Sequence, residues 1–417
     1  MNKNDSELVA GILMDHGFEL TEVLEQADFA MINTCSVRRH AEQRAMGRLS
    51  VLKGWKHAAP DRKIVVLGCM AQKDRHHLFD ENPHIDLVVG PDAYRRLPEL
   101  LQSAECRCET RENDEEIYTG IHPLRKAGIS GWVTIMRGCD NYCAYCIVPY
   151  TRGRERSRPA RAILEEITGM VKTGYREITL LGQNVNSYHD GNTDFPGLLE
   201  KISRIPNLPR VRFMSSHPKD CSQRLFEVMA SEPALCPHLH LPFQSGSNRI
   251  LHRMNRKYTR EHYMDLIGQA RSRIPGLAVT TDVMVGFPGE SEKDFQDTVD
   301  LMQSIRFADA FMYHYSIRPG TAAEKMKPQL PQKEKLTRLN ALIKIQQSIS
   351  REIKLDMLGK TWEVMPEETS KQSKYEWIGK TDNNHMVVFP KENYLPGMIV
   401  PIKVKTCRGN TLRGVAA

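Results

Sequence analysis

The sequence predicts an α/β protein in three parts: a parallel-sheet α/β domain over 1–110, a partial (β/α)6 barrel over 125–356 and a small β-barrel over 358–417. Three observations carry this. Short apolar runs that end in small or polar residues alternate with helix-compatible segments, the rhythm of a parallel sheet covered by helices. A polar, charged stretch without apolar period, from Glu109 to about Gly128, separates two such series and reads as a linker. Beyond about Leu358 the rhythm changes to short β runs divided by turn residues.

The elements follow in order. Asn4, Asp5 and Ser6 read as N-cap residues of a helix in which Leu8, Val9, Ile12 and Leu13 recur at helical spacing up to Gly17. The runs Phe29–Asn33, Ile64–Gly68 and Ile85–Gly90 read as strands, and Cys35 and Cys69 stand just past two of their carboxyl ends, the edge where parallel α/β sheets bind ligands. Alone, each cysteine reads as a buried small hydrophobe. Two at equivalent strand ends suggest a metal cluster, although two thiolates are fewer than a cubane ordinarily takes. Cys106 and Cys108 would add a ligand only if their stretch folded back across the sheet edge, and its charge gives it little reason to.

Gly131–Arg137 is the first strand of the second series, followed by Glu177–Gly182, Val211–Ser215, His238–Leu241, Ala278–Val285 and Asp309–Tyr313. Six strands at this rhythm make a partial barrel whose chemistry belongs at their carboxyl ends. Gln183, Asn184 and Asn186, then Ser215, Ser216 and His217, then Gln244, Ser245 and Ser247, and finally Asp282 gather there. Such amides, hydroxyls and a carboxylate suit a ribose, an adenine edge and an amino-acid head, and ordinary loop polarity explains a share of them. The segment Gly286–Glu290 adds a glycine turn. An amphipathic helix from Gln332 to about Leu358, with Leu336, Leu339, Leu342, Ile343, Ile345 and Ile349 on its apolar face, closes the barrel side. Five β runs then follow, Thr361–Val364, Glu376–Gly379, Met386–Phe389, Met398–Val404 and Thr411–Val415.

The most informative stretch is Gly138-Cys139-Asp140-Asn141-Tyr142-Cys143-Ala144-Tyr145-Cys146. Three thiolates this close suit three corners of an iron–sulfur cubane, and the fourth iron then keeps an open position that marks reactivity. A zinc knuckle is the alternative, but no Cys or His follows until His189 to close a tetrahedral site. The C-x3-C-x2-C spacing, with Tyr145 before the last cysteine, resembles the signature of radical S-adenosylmethionine (SAM) enzymes. That resemblance implies a cluster whose open iron is chelated by the methionine part of SAM.

Composition sets the frame. The chain has 417 residues, a net charge of +7 and ten cysteines, with no apolar run long enough for a membrane span and no signal peptide at its start. Cysteines in metal-ligand spacing without a secretory signal fit a reducing cytoplasm, and the positive charge points weakly toward a polyanion.

The resemblance extends along the chain. Met1–Glu7, Asn33-Thr34-Cys35-Ser36-Val37-Arg38 and Gly68-Cys69-Met70-Ala71-Gln72 resemble cluster motifs of the radical SAM methylthiotransferases. Val148–Gly153, Leu181–Tyr188, Ser216-His217-Pro218, Leu241–Ser247 and Val285–Glu290 resemble the members of that family that act on tRNA. The family implies a C-terminal TRAM domain and transfer of a methylthio group to N6-dimethylallyladenosine at position 37 of tRNA, using two SAM and two 4Fe–4S clusters. One cluster is expected at Cys139, Cys143 and Cys146. The auxiliary one is expected at Cys35, Cys69 and a cysteine that the pattern places ahead of Met1, so that the polypeptide as written is expected to hold about one cubane stably. Tyr145, Gln183, Ser215, Ser216, Gln244, Arg256 and Asp282 are the expected cofactor-binding residues. No catalytic side chain is expected beyond the cluster ligands, since cofactors of this kind carry the hard chemistry. A flavodoxin-type electron donor and a monomeric, cytoplasmic protein complete the expectation.

Two basic clusters are candidates for an RNA backbone track: Arg152, Arg154, Arg156, Arg158 and Arg161, and Arg249, Arg253, Arg256, Lys257 and Arg260. Basic residues also outnumber acids in the last domain. The alternatives are the same chemistry on another tRNA adenosine or on a ribosomal protein, or a non-catalytic iron–sulfur RNA-binding protein.

Overall fold

In the computed structural model, which describes residues 1–36, 39–103 and 106–417, the chain opens with helix α1 (Asn2–Asp15). Leu8, Val9, Ile12 and Leu13 are buried there at helical spacing. The helix starts earlier than the sequence predicts. Asn4 and Asp5 therefore lie inside its first turns, both buried, instead of capping it. The reason is tertiary: Asp5 is claimed by two arginines described below.

Next come β1 (Phe29–Thr34), α2 (Arg39–Ala58), β2 (Lys63–Gly68), α3 (Cys69–Asp74), α4 (His77–Glu81), β3 (Leu87–Val89), α5 (Leu97–Gln102) and β4 (Cys108–Glu109). The strands form one sheet in the order β1-β2-β3-β4, every neighbour parallel, with Phe29 opposite Lys63 and Thr34 opposite Gly68. Apolar side chains cover both faces, Leu8, Leu67, Val89 and Leu97 in one cluster and Leu49, Trp55, Ile64 and Val88 in another. Val37 and Arg38 of the second motif lie outside the described residues.

The charged stretch is not a loose linker. Its first residue, Glu109, forms β4 at the sheet edge together with Cys108, so that the Cys106–Cys108 stretch does fold back to the edge, contrary to expectation, and Tyr118 is buried with its hydroxyl donating to the Pro91 carbonyl at 2.8 Å. Its charges are satisfied locally, Glu116 by Arg95 at 2.9 Å and the buried Glu109 by Arg96. Composition alone could not reveal this, because a paired charge and a solvated one read alike in a sequence.

The chain divides into two compact units, one of Met1–Lys126, Thr134–Tyr142 and Cys146–Ala162, the other of Ala127–Val133, Cys143–Tyr145 and Ile163–Ala417. The connecting region carries β5 (Ser130–Thr134), β6 (Met136–Arg137), α6 (Val148–Arg152), β7 (Arg156–Ser157) and α7 (Ala160–Lys172). The second unit continues with β8 (Glu177–Leu181), α8 (Phe195–Ser203), β9 (Arg210–Phe213), α9 (Gln223–Ser231), β10 (His238–His240), α10 (Asn248–Arg253), α11 (Arg260–Arg273), β11 (Ala278–Val285), α12 (Glu292–Ile305), β12 (Asp309–His314) and α13 (Gln332–Leu355). Its strands run β5-β8-β9 and β10-β11-β12. Between the two runs, the Val211 amide donates to Ala234 at 2.7 Å and the Cys236 amide to Val211 at 3.0 Å. Six strands thus follow one another in sequence order, an open α/β barrel.

Helix α13 packs differently from its apolar pattern. Leu342 and Ile349 are buried, but Leu336 is exposed and Arg338, Gln346 and Ser350 take the inward positions. Each has a polar partner there: Arg338 donates to Glu290, Gln346 to the Phe307 carbonyl at 2.8 Å and Ser350 to the Ala308 carbonyl at 2.9 Å.

The last strands, β13 (Thr361–Thr369), β14 (Glu376–Thr381), β15 (Met386–Pro390), β16 (Val400–Arg408) and β17 (Thr411–Ala416), close a barrel in the order β13-β14-β15-β17-β16 around Val364, Val387, Phe389, Ile402 and Leu412. Two buried arginines of β9 tie it to the larger barrel. Arg210 donates to the Lys380 and Glu363 carbonyls at 2.6 and 2.9 Å, and Arg212 to those of Asp382 and Thr381 at 2.7 and 2.8 Å.

Candidate cysteine-centred active site

In the first unit, Gly68 ends β2 at φ +94°. A Cβ there would stand 2.5 Å from the Thr34 carbonyl oxygen, so only glycine lets β1 and β2 finish side by side before the chain turns into α3. Cys69 is the first residue of α3 and is buried; Cys35, directly after β1, is half-buried. Arg152, at the end of α6, donates from Nε to Cys69 Sγ at 3.2 Å and from Nη2 to Asp5. Arg137 donates to the other Asp5 oxygen at 2.8 Å. Burial works to raise the Asp5 carboxyl, but Arg152 and Arg137 outweigh it and hold it below the usual carboxylate range. Among the described residues Arg152 Nη1 is buried without a partner.

The three-cysteine loop begins at Gly138, φ +73°, where a Cβ would stand 1.8 Å from the Arg154 carbonyl oxygen. The Cys139 amide donates to Gly153 at 3.3 Å, and Asn141 Nδ2 donates to Cys139 Sγ at 3.4 Å. In the second unit, Arg256 Nη1 donates to Cys143 Sγ at 3.5 Å, Nη2 to the Pro242 carbonyl at 3.0 Å and Nε to the Tyr258 hydroxyl at 3.0 Å. Backbone bonds from Ala144 to Met254 at 2.9 Å and from Ala323 to Ala144 at 2.8 Å hold this corner, and Tyr145 packs on Ala144, Ile250 and Phe287. Cys146, half-buried, lies two residues before α6. Among the described residues, no three His, Cys, Asp or Glu side chains gather tightly enough to hold a single ion. A cubane does not ask for that, because each thiolate binds its own iron.

At the carboxyl ends of the barrel strands, Ser215 and Gln244 take left-handed backbone at φ +69° and +63°, a conformation that non-glycine residues adopt at a cost and that concentrates at ligand sites. Among the described residues Ser216 Oγ and Gln183 Oε1 are buried without a hydrogen-bond partner. Asp282 is partly exposed, with His240 Nε2 at 3.7 Å. The Asn186 side-chain amide clamps the His217 backbone, donating to its carbonyl and accepting from its N–H at 2.8 Å each, and Ser247 donates to Asp294 at 2.6 Å, so Asn186 and Ser247 support their loops. Burial first, then the Arg256 guanidinium, lowers His217 to about 2, which keeps its ring neutral.

The first proposed arginine track is largely internal. Arg152, Arg156 and Arg158 are buried, held by Asp5, by Asp92 at 3.0 Å and by the Thr134 carbonyl at 2.7 Å, while Arg154 pairs with Asp140 at 3.2 Å. In the second cluster Arg256 is buried, Arg249 binds Asp294, and Arg253 donates to the Pro288 carbonyl at 3.2 Å. Arg152, Arg156, Arg158 and Arg256 do not face solvent as a phosphate track requires, and the exposed Arg154 and Arg249 are each already paired with a carboxylate. Spacing in the sequence could not show that their partners, Asp5 and Asp92 among them, come from far along the chain.

Three stretches match described families: residues 1–90 the "Uncharacterized protein family UPF0004", 133–302 the Radical SAM superfamily, and 356–417 the TRAM domain. A relative in Chloroherpeton thalassium, named tRNA-2-methylthio-N(6)-dimethylallyladenosine synthase, is 46% identical over 423 residues, covering 100% of this chain and 94% of the relative. The chain belongs to the tRNA-2-methylthio-N(6)-dimethylallyladenosine synthase family. A second synthase of that name, in Parabacteroides distasonis, is 45% identical and covers 99% of this chain and 93% of its own. Among solved structures, the radical SAM methyltransferase TsrM from Kitasatospora setae, with cobalamin and a 4Fe–4S cluster bound, superposes with a TM-score of 0.61 at 15% identity, over 77% of this chain and 73% of that one. At that identity the likeness is one of fold. For a synthase of this family, the residues missed by sequence reasoning are Asp5 and Arg137, whose importance lies in what they touch.

Proposed function

We propose that this chain converts N6-dimethylallyladenosine at position 37 of tRNA to its 2-methylthio derivative, with a SAM-binding 4Fe–4S cluster at Cys139, Cys143 and Cys146 and an auxiliary cluster to which Cys35 and Cys69 contribute. The donor set fits: soft thiols at a strand edge and in a tight loop, with buried N–H groups directed at sulfur. When bound, the clusters and SAM supply the radical that activates adenine C2 and the methyl and sulfur that replace its hydrogen.

The chain's own residues bind and orient. Arg256 fixes the Cys143 sulfur while holding Pro242 and Tyr258, so the loop before Gln244 and the thiol are positioned by one guanidinium. Arg152 does the same for Cys69, braced by Asp5. Ser216 and Gln183 offer buried polar atoms to SAM, Ser215 and Gln244 turn their loops toward it, and Asp282 suits its ammonium or ribose. Tyr145 packs against the apolar cluster beside the loop. Electrons come from a flavodoxin-type donor, and the protein acts as a monomer in the cytoplasm. Among the described residues no helix is long and apolar enough to cross a membrane.

The observation that carries the reading is the guanidinium N–H placed on one thiol in each site, 3.2 Å from Cys69 and 3.5 Å from Cys143. The test incubates reconstituted protein with dithionite, SAM and tRNA bearing or lacking the dimethylallyl group, then analyses the nucleosides by mass spectrometry. A methylthio mass gain confined to the dimethylallyl tRNA is expected. SAM cleavage with no such gain on either tRNA would sink the reading.

A further inference from the structure

Two arginines without an internal partner among the described residues lie on α2. That helix turns Ala45, Leu49, Leu52 and Trp55 into the core, and Arg44 and Arg48 stand exposed, one helical turn apart on one face. Among the described residues neither has a hydrogen-bond or ion-pair partner. By contrast, Arg62, Arg75, Arg95, Arg96 and Arg107 of the same unit each donate to a carbonyl or a carboxylate.

Both arginines line a pocket of about 620 Å³ that also contains Asn33, Thr34 and Cys35, at the carboxyl end of β1. No lining residue is acidic. Glu42, the acid of the first turn of α2, is engaged by Lys73 at 2.8 Å. Gly47 lies between the arginines, and a Cβ there would meet nothing within 4 Å, so a polymer backbone can run close to the helix. Two like charges one turn apart repel each other, and an anion bridging them relieves that repulsion. Guanidiniums at this spacing suit successive phosphates of one strand better than a single small anion.

We propose that Arg44 and Arg48 bind consecutive phosphates of the tRNA substrate and hold its strand over the Cys35 end of β1. This rests on the reading of the chain as a tRNA-modifying enzyme and adds what the buried or carboxylate-paired arginines of the other clusters do not provide: solvent-facing cations, unpaired among the described residues, beside Cys35. The contacts are to backbone, so they position the strand and leave the choice of base to other residues.

The test measures binding of the full, reconstituted chain to tRNA carrying dimethylallyladenosine, across a salt series. Four proteins are compared: wild type, Arg44→Gln/Arg48→Gln, Arg44→Lys/Arg48→Lys, and Lys172→Gln/Lys293→Gln, which removes equal charge from exposed positions elsewhere. Each phosphate contact contributes roughly 0.7–0.9 to the slope of log affinity against log salt, so the double glutamine variant should lose about 1.4–1.8 of it. Between 50 and 200 mM salt, the wild type should then lose roughly tenfold more affinity than that variant. The lysine pair and the Lys172/Lys293 pair should keep most of the wild-type slope. An unchanged slope in the Arg44/Arg48 glutamine variant, or an equal flattening in the Lys172/Lys293 control, overturns the proposal while leaving the enzyme reading intact. Failure of the wild type to bind tRNA at all overturns both.

Discussion

The two cysteine sites solve the same electrostatic problem in different ways. At Cys69 the guanidinium of Arg152 shares a buried carboxylate, Asp5, with Arg137, so much of its charge is balanced by the protein. At Cys143 the guanidinium of Arg256 is equally buried, but its partners are a thiol, a carbonyl and a phenol, none of them a carboxylate. A buried cation without a counter-anion is costly. The first site therefore stands largely on its own ion pairs. The second calls for negative charge at the sulfur, which the proposed anionic cluster with its thiolates would provide.

The largest effect is expected at the three-cysteine loop. Cys139→Ala, Cys143→Ala or Cys146→Ala should each abolish 5′-deoxyadenosine formation, because three thiolates are the minimum that holds a cubane with an open iron. Retained SAM cleavage in any one of them would remove the radical SAM assignment of this loop.

Next comes the carboxylate that distinguishes the sites. Asp5→Asn leaves Arg137 and Arg152 buried together and should cost about 3–5 kcal/mol in urea unfolding at pH 7. Because the folded Asp5 carboxyl lies below its ordinary value, this stabilisation is present above the unfolded value of about 3.9 and is lost as pH falls through the folded one. The gap between wild type and variant should hold from pH 7 to about 4 and close below it; a gap that shrinks already between pH 7 and 5 would contradict the pairing.

The arginines themselves should separate two activities. Replacing Arg256 by Gln should slow SAM cleavage about 10–100-fold, whereas Arg152→Gln should leave SAM cleavage alone and lower methylthio transfer by a similar factor. Equal losses of both activities in both variants would show that the two sites do not act separately. The smallest effect concerns His217, which stays neutral down to about 2. The unfolded chain takes up that proton near 6.5, so stability should fall below this pH by up to about 1.4 kcal/mol per unit from this group. A His217→Gln variant should show a flatter decline between pH 6.5 and 5 when urea midpoints are compared.

Much of this was legible in the sequence, and the rest was hidden for definable reasons. The alternation of apolar runs and helical segments placed Cys35 and Cys69 at strand ends and foretold the order of the barrel strands, because periodicity records which faces are buried. The five closing strands were readable from turn residues in the same way. Pairings between distant charges were not. Asp5 looked like a helix cap and Arg152 like a phosphate ligand, yet they bind each other across 147 positions. The stretch carrying Tyr118 looked like a linker because its charges meet partners that only the fold brings near. Likewise the apolar residues of α13 suggested an inward face that Arg338, Gln346 and Ser350 share, each with an acceptor waiting.

Under the proposed function the two sites have two jobs: hydrogen removal from adenine C2 at the Cys139, Cys143 and Cys146 cluster, and delivery of a methylated sulfur from the Cys35 and Cys69 side. One double-label measurement addresses this directly. Reconstituted enzyme is given SAM deuterated in its methyl group and dimethylallyl tRNA deuterated at adenine C2, and the products are weighed by mass spectrometry. Deuterium from C2 should appear in 5′-deoxyadenosine, and the SAM-derived methyl, still carrying its label, should appear on the sulfur of the modified base. Unlabelled 5′-deoxyadenosine alongside a labelled methylthio product would contradict the account.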